Sequence, residues 1–161
     1  MIRVLIVEDE EIIRKGLINT IDWIEKDCNI VGEAINGFDG LEIWGGRPHA
    51  YPYDMDHDQV QQILEWKRKY EIEVPMYTPN ALGMPYNLCS LDQRERTDAI
   101  DYFKKAITAC EQMEVPRMLM VADHPGYEVP REKSWKQFIE NMKELGIYAK
   151  EHGVILVVES L

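Results

Sequence analysis

Cysteine is scarce and scattered: Cys28, Cys89 and Cys110 are the only three in 161 residues, and no CxxC pair occurs. That excludes a disulfide framework and the usual zinc spacings, and it fits a reducing cytoplasm. Long apolar runs are missing too. Nothing approaches the ~18–20 residues that a membrane span needs, and the N-terminus has no signal-peptide pattern. Positive charge is short, with 18 Lys and Arg against 29 Asp and Glu for a net charge of −11. Such a balance argues against nucleic acid or an anionic membrane as a partner. The acids are spread along the chain and form no tail, and no repeat or flexible linker interrupts it. What remains is the composition of a folded protein, 45% hydrophobic and 29% charged, long enough to bury a core.

The apolar residues alternate between strand and helix patterns. Residues 3–7 (RVLIV) form a short continuous run of the kind buried on both faces of a parallel sheet. After it Ile12, Ile13, Leu17, Ile21 and Ile24 recur at helical spacing. Residues 29–34, 74–78, 116–122 and 154–159 read as further strands. Helices are expected over 57–70 and 91–113, and a third where Trp135, Phe138, Ile139, Met142, Leu145 and Tyr148 repeat. Strand and helix in turn give an α/β class with a mostly parallel, open sheet and helices on both faces. The last strand ends at Glu159-Ser160-Leu161 with no covering helix after it, as if the domain were cut at its active-site edge.

One stretch, NGFDGLEIWGGRPHAYPYDMD at 36–56, parses in two ways. Read as a helix from Asn36-Gly37 to Arg47-Pro48, it leads into a strand delivering Asp54. Read as a strand over 38–44, it leads into a loop over 45–51. Gly40, Gly45 and Gly46 are poor helix formers, and Pro52 removes a ladder donor from any strand reaching Asp54. The strand reading is preferred. Asn36-Gly37 is also a two-residue turn signal that would allow residues 29–34 and 38–44 to pair as a hairpin.

Residues 1–37, from RVLIVEDE through IDW to IVGEAING, resemble the start of a response-regulator receiver domain, a flavodoxin-like fold. The resemblance implies Mg²⁺ binding by Glu8 and Asp9 at the end of the first strand. Asp54 falls where a phosphoacceptor would, although the Lys and Ser/Thr partners of such a site have no counterpart.

Residues 37–161 resemble the xylose-isomerase-like TIM-barrel enzymes, and within them the fructoselysine-type sugar epimerases. The similarity rests on GFDGLEIWGGRPHAYPYD, YTPNALGMPYN, ADHPGY and GVILVVESL in unbroken order. It implies sugar contacts from Arg47, His49, Tyr77 and His124, and it aligns Glu159 with the Glu that is the first ligand of a divalent metal. The remaining ligands of that family lie on later strands, and its first strand and helix are replaced here by the receiver-like segment.

Two half-matches imply a flavodoxin-like/TIM-barrel hybrid: residues 1–37 as a β-α-β piece and 38–161 as a partial barrel, fused in one globular domain. The first expectation is therefore an engineered chimera, not an enzyme, with no cofactor required and loose Mg²⁺ or Mn²⁺ binding by Glu8, Asp9 and Glu159 at most. The alternatives are a metal-dependent sugar epimerase and a phosphoacceptor receiver. An exposed sheet edge would favour a homodimer.

Overall fold

The computed structural model describes residues 2–7, 11–22, 24–25, 28–34, 40–81, 86–122 and 129–159. Its elements follow the apolar pattern closely: β1 (Ile2–Val7), α1 (Glu11–Thr20), β2 (Cys28–Ala34), β3 (Gly40–Gly45), α2 (His57–Tyr70), β4 (Glu73–Pro79), α3 (Gln93–Gln112), β5 (Arg117–Val121), α4 (Arg131–Glu151) and β6 (Ile155–Glu159). The disputed stretch is a strand, as the glycines require, and Gly40–Gly45 pairs in parallel with β4.

The α/β class with parallel pairing stands, but the strands divide into two sheets where one was expected. β1 and β2 form a two-stranded parallel sheet, and β3-β4-β5-β6 form a four-stranded one. β2 and β3 therefore do not pair as a hairpin; the Asn36-Gly37 turn itself lies outside the described residues. In the larger sheet every neighbour in space is the next strand in sequence, joined through one helix. Parallel crossovers are right-handed almost without exception, so an order that never reverses places α2, α3 and α4 on one face. Helices on both faces would need a reversal, and this sheet has none. A strand order of this kind is how a β/α barrel is wound.

Local chemistry sets the helix ends. Asp56 caps α2 in a capping box: its carboxylate accepts from the Gln59 amide at 2.9 Å, and the Gln59 side chain accepts from the Asp56 amide at 3.2 Å. Asp92 caps α3, accepting from the amides of Arg94 at 2.8 Å and Glu95 at 3.0 Å. At the other end of α3, Lys67 Nζ donates to the carbonyls of Met113 and Glu114, each at 2.8 Å. The ammonium thus meets the negative end of the helix and ties α2 to α3.

The core lies between the helices and the four-stranded sheet. Tyr77 and Met118 from the strands are fully buried against Tyr102, Ile107 and Cys110 of α3 and Leu145 of α4. Paired residues in a parallel sheet share a face. Tyr77 opposite Met118, and Met118 opposite Leu156, therefore define the helix-covered face. The next residue on each strand points the other way.

Candidate active site

The carboxyl ends of parallel strands open into the loops that carry sites in α/β proteins. β3 ends at Gly45-Gly46, and both positions are constrained by contact. A Cβ on Gly45 would stand 2.6 Å from Tyr77 Cζ and 2.8 Å from Pro79 Cα, and one on Gly46 would overlap the Trp44 ring. The glycines let the chain turn sharply across the end of β4. The loop then carries Arg47, whose guanidinium grips Asp54 through Nε–Oδ2 at 2.5 Å and Nη2–Oδ1 at 2.8 Å. The same group lies 4.4 Å from the centre of the Tyr51 ring. This fork-on-fork bond holds the Asp54 carboxyl below its ordinary range and Arg47 above its own.

A tyrosine cluster joins this loop to the one after β4. Tyr51 and Tyr86 share a hydroxyl–hydroxyl hydrogen bond of 2.9 Å. Tyr86 stacks on Tyr102 of α3 with ring centres 4.0 Å apart and planes 6° from parallel. Tyr102 donates to the Asn80 carbonyl at 2.9 Å, and Tyr53 packs 6.0 Å from its ring. Burial, reinforced by the Tyr86 hydroxyl, pushes the Tyr51 phenol up to about 12. From beneath, two buried polar groups of α4 hold the second loop: Ser134 donates to the Cys89 carbonyl, and Asn141 donates to the Leu88 carbonyl at 2.8 Å.

The face of the sheet turned away from the helices carries a second set of side chains. Register puts Trp44 beside Thr78, Leu119 beside Val157, and Val121 beside Glu159. Two residues below Trp44, Glu42 shares this face and accepts a hydrogen bond from the Thr78 hydroxyl. Trp44 meets the His49 ring edge-on, with centres 5.9 Å apart.

The residues singled out in sequence are placed as follows. Glu159 is exposed at the carboxyl end of β6, on the helix-free face. His49 stands beside Trp44 at the mouth of the β3 loop. Arg47 is at the same loop but engaged with Asp54. Asp54 sits in that turn and not at a strand end, where a phosphoacceptor would be. Tyr77 is wholly buried and donates to the Ala50 carbonyl at 2.6 Å, so it braces the loop from inside the core. His124, Glu8 and Asp9 lie outside the described residues. Sequence reasoning passed over Glu42, Thr78, Tyr51, Tyr86 and Tyr102. A Glu inside the otherwise apolar LEIW was the one legible signal.

A divalent ion such as Mg²⁺ wants about six oxygens in set geometry. Among the described residues no group of three His, Cys, Asp or Glu lies together to hold one. Glu159 is the only described member of the expected set, so these residues do not form a metal site by themselves.

The model of one protein family, described as xylose isomerase-like TIM barrel, matches residues 33–161. The chain belongs to that family. A fructoselysine 3-epimerase from Shigella flexneri is 38% identical over 125 residues, which is 78% of this chain and 45% of the relative. This family member thus spans less than half the length of the curated relatives it matches. Among solved structures, a D-psicose 3-epimerase in the presence of D-fructose aligns with a TM-score of 0.66 at 15% identity, over 78% of this chain and 43% of its own. D-psicose 3-epimerase from Clostridium cellulolyticum H10 aligns with a TM-score of 0.64 at 18% identity, over 100% of this chain and 53% of its own.

Two expectations are corrected by these findings. The first is the receiver origin of residues 1–37 and, with it, the chimera. No finding supports either, and the family match begins at residue 33, while an epimerase structure aligns across the whole chain. The second is the absence of enzyme function. The xylose isomerase-like chain has relatives named as epimerases and structural neighbours that are 3-epimerases, which points to an enzyme. The β-α-β pattern of residues 1–37 is shared by many parallel α/β folds and does not by itself assign a receiver, and residues 1–32 lie outside the family match. Among the described residues no helix is long and apolar enough to cross a membrane.

Proposed function

We propose that this chain carries the substrate-binding part of a sugar 3-epimerase acting on a ketose or on a fructoselysine-type sugar amine. The observation that carries the reading is Glu159, placed at the carboxyl end of β6 on the helix-free face within a segment 38% identical to a fructoselysine 3-epimerase. Epimerisation beside a carbonyl needs a base within hydrogen-bond reach of the carbon that loses its proton. Glu159 takes the C3 proton, leaving an enediolate, and return of a proton to the opposite face gives the epimer. The loops after β3 and β4 fix the sugar against this edge. His49 and Trp44 stand at the mouth, and the Arg47–Asp54 pair keeps the first loop in shape. Loose Mg²⁺ or Mn²⁺ binding that includes Glu159, Glu8 and Asp9 belongs to the same proposal, and no step is assigned to the ion.

The test is C3 proton exchange into deuterated solvent with D-fructose, D-psicose and fructoselysine, with and without added Mn²⁺. Exchange that saturates with substrate and is lost in Glu159→Gln is the expected result. Equal exchange in the two proteins would remove Glu159 from the mechanism, and none in either would sink the reading.

A further inference from the structure

The helix-free face of the four-stranded sheet is mostly apolar, built from Trp44, Met76, Leu119, Val121 and Val157. In its carboxyl-terminal half the polar side chains are Glu42, Thr78 and Glu159. Glu159 already has a proposed task. Glu42 and Thr78 have none, and Glu42 is exposed on this face, so its carboxylate is open to a ligand from solvent. The Thr78 hydroxyl donates to one oxygen of Glu42. An ionised carboxylate accepts at about four positions, so most of its capacity is open. Thr78, with its proton committed to Glu42, presents lone pairs outward. The pair therefore offers acceptors, one of them charged, to any donor that comes up to this face.

Directly above it, Trp44 sits in the same row as Thr78 and is held in place by the close approach of Gly46 and by the edge of His49. An indole face beside a cluster of acceptors suits a polyol, which has apolar C–H faces and hydroxyl donors on its edges. We propose that Glu42 and Thr78 are a specificity-determining pair that accepts hydroxyl protons from the part of the sugar chain remote from the reacting carbon. This rests on the reading of the helix-free face as the substrate side of a sugar epimerase, and it adds the residues that select the sugar. Glu42 acts directly on the substrate, and Thr78 both contacts it and orients the carboxylate.

A pair that merely braces β3 against β4 would alter stability and affect all sugars alike. A recognition pair affects only sugars that carry the hydroxyl it reads. Glu42→Gln, Thr78→Val and Thr78→Ser are therefore compared with the wild type on D-fructose and a panel of its monodeoxy analogues, with affinity read by saturation-transfer NMR and turnover by C3 exchange. Glu42→Gln and Thr78→Val are expected to weaken D-fructose about tenfold, the loss of one charge-assisted hydrogen bond. They should leave one deoxy analogue unaffected, and Thr78→Ser should restore the wild-type value, with melting temperatures unchanged throughout. Equal weakening of every analogue, or an unchanged affinity for D-fructose, overturns the proposal. Wild-type protein that binds D-fructose selectively through the pair but exchanges no C3 proton would sink the epimerase reading and keep the pair. Wild-type protein that binds no ketose overturns both.

Discussion

The Tyr77 hydroxyl donates to the Ala50 carbonyl across 2.6 Å, joining the buried tyrosine of β4 to the loop that leaves β3. The core therefore extends into the site, and the loop is held by the same packing that stabilises the sheet. Tyr77→Phe keeps the ring but leaves that carbonyl without its donor inside the protein. We expect a loss of about 1–3 kcal/mol in urea unfolding, the cost of an unsatisfied buried polar group, and a faster opening of amides over 46–54 by hydrogen exchange.

Gly45 answers to the same neighbours. A methyl group there meets Tyr77 Cζ and the Pro79 backbone at 2.6 and 2.8 Å, and the backbone contact cannot be relieved by a rotamer change. Gly45→Ala should cost about 1–3 kcal/mol by overpacking and should weaken the substrate, since β3 and its loop must shift. A variant as stable as the wild type would show that the turn has slack.

Alkaline pH should undo the tyrosine link between the two loops. Tyr51 is raised from its ordinary 10.0 to about 12, chiefly by burial and then by the Tyr86 hydroxyl. The folded protein holds this proton more tightly than the unfolded chain. Its contribution is therefore complete below pH 10.0 and is lost as the pH rises through about 12. Tyrosinate absorbance should show a late-titrating fraction, and Tyr51→Phe should flatten the fall in stability over that window.

Both carboxylate oxygens of Asp54 are occupied by Arg47. Acetyl phosphate with Mg²⁺ should accordingly leave the chain unmodified. A stoichiometric phosphoryl adduct mapped to Asp54 by mass spectrometry would revive the phosphoacceptor reading.

β3 and β6 are the outer strands of the four-stranded sheet, and Ile155 and Val158 on β6 are 59% and 47% exposed. Beside β3, a cavity of about 440 Å³ is lined by Leu41, Ile43, Ile63 and Trp66. Apolar side chains along an open edge favour association, and a homodimer through an edge strand is our expectation. Light scattering across a concentration series should show mass rising toward twice that of the chain. Ile155→Lys should hold it at the monomer value, and a wild type that stays monomeric throughout rejects the dimer.

The sequence by itself determined the elements and pointed to the family. Apolar runs and capping residues such as Asp56 and Asp92 act locally, so strands and helices can be read within a few turns of chain. Glycines at 45 and 46 marked the strand end for the same reason. The GGRPHA and VVES segments pointed to the right family because they are contiguous. Tertiary structure alone decided what those residues face. Tyr77 reads as a loop-end sugar contact, but a one-residue alternation in β4 turns it into the core and leaves Thr78 on the open face. Glu42 stands out as an acid inside LEIW, but only the parallel register sets it beneath Trp44 and within reach of Thr78. The sheet order, and with it the question of one face or two, also depends on pairings between residues 33 to 38 positions apart, a distance over which no local pattern carries information.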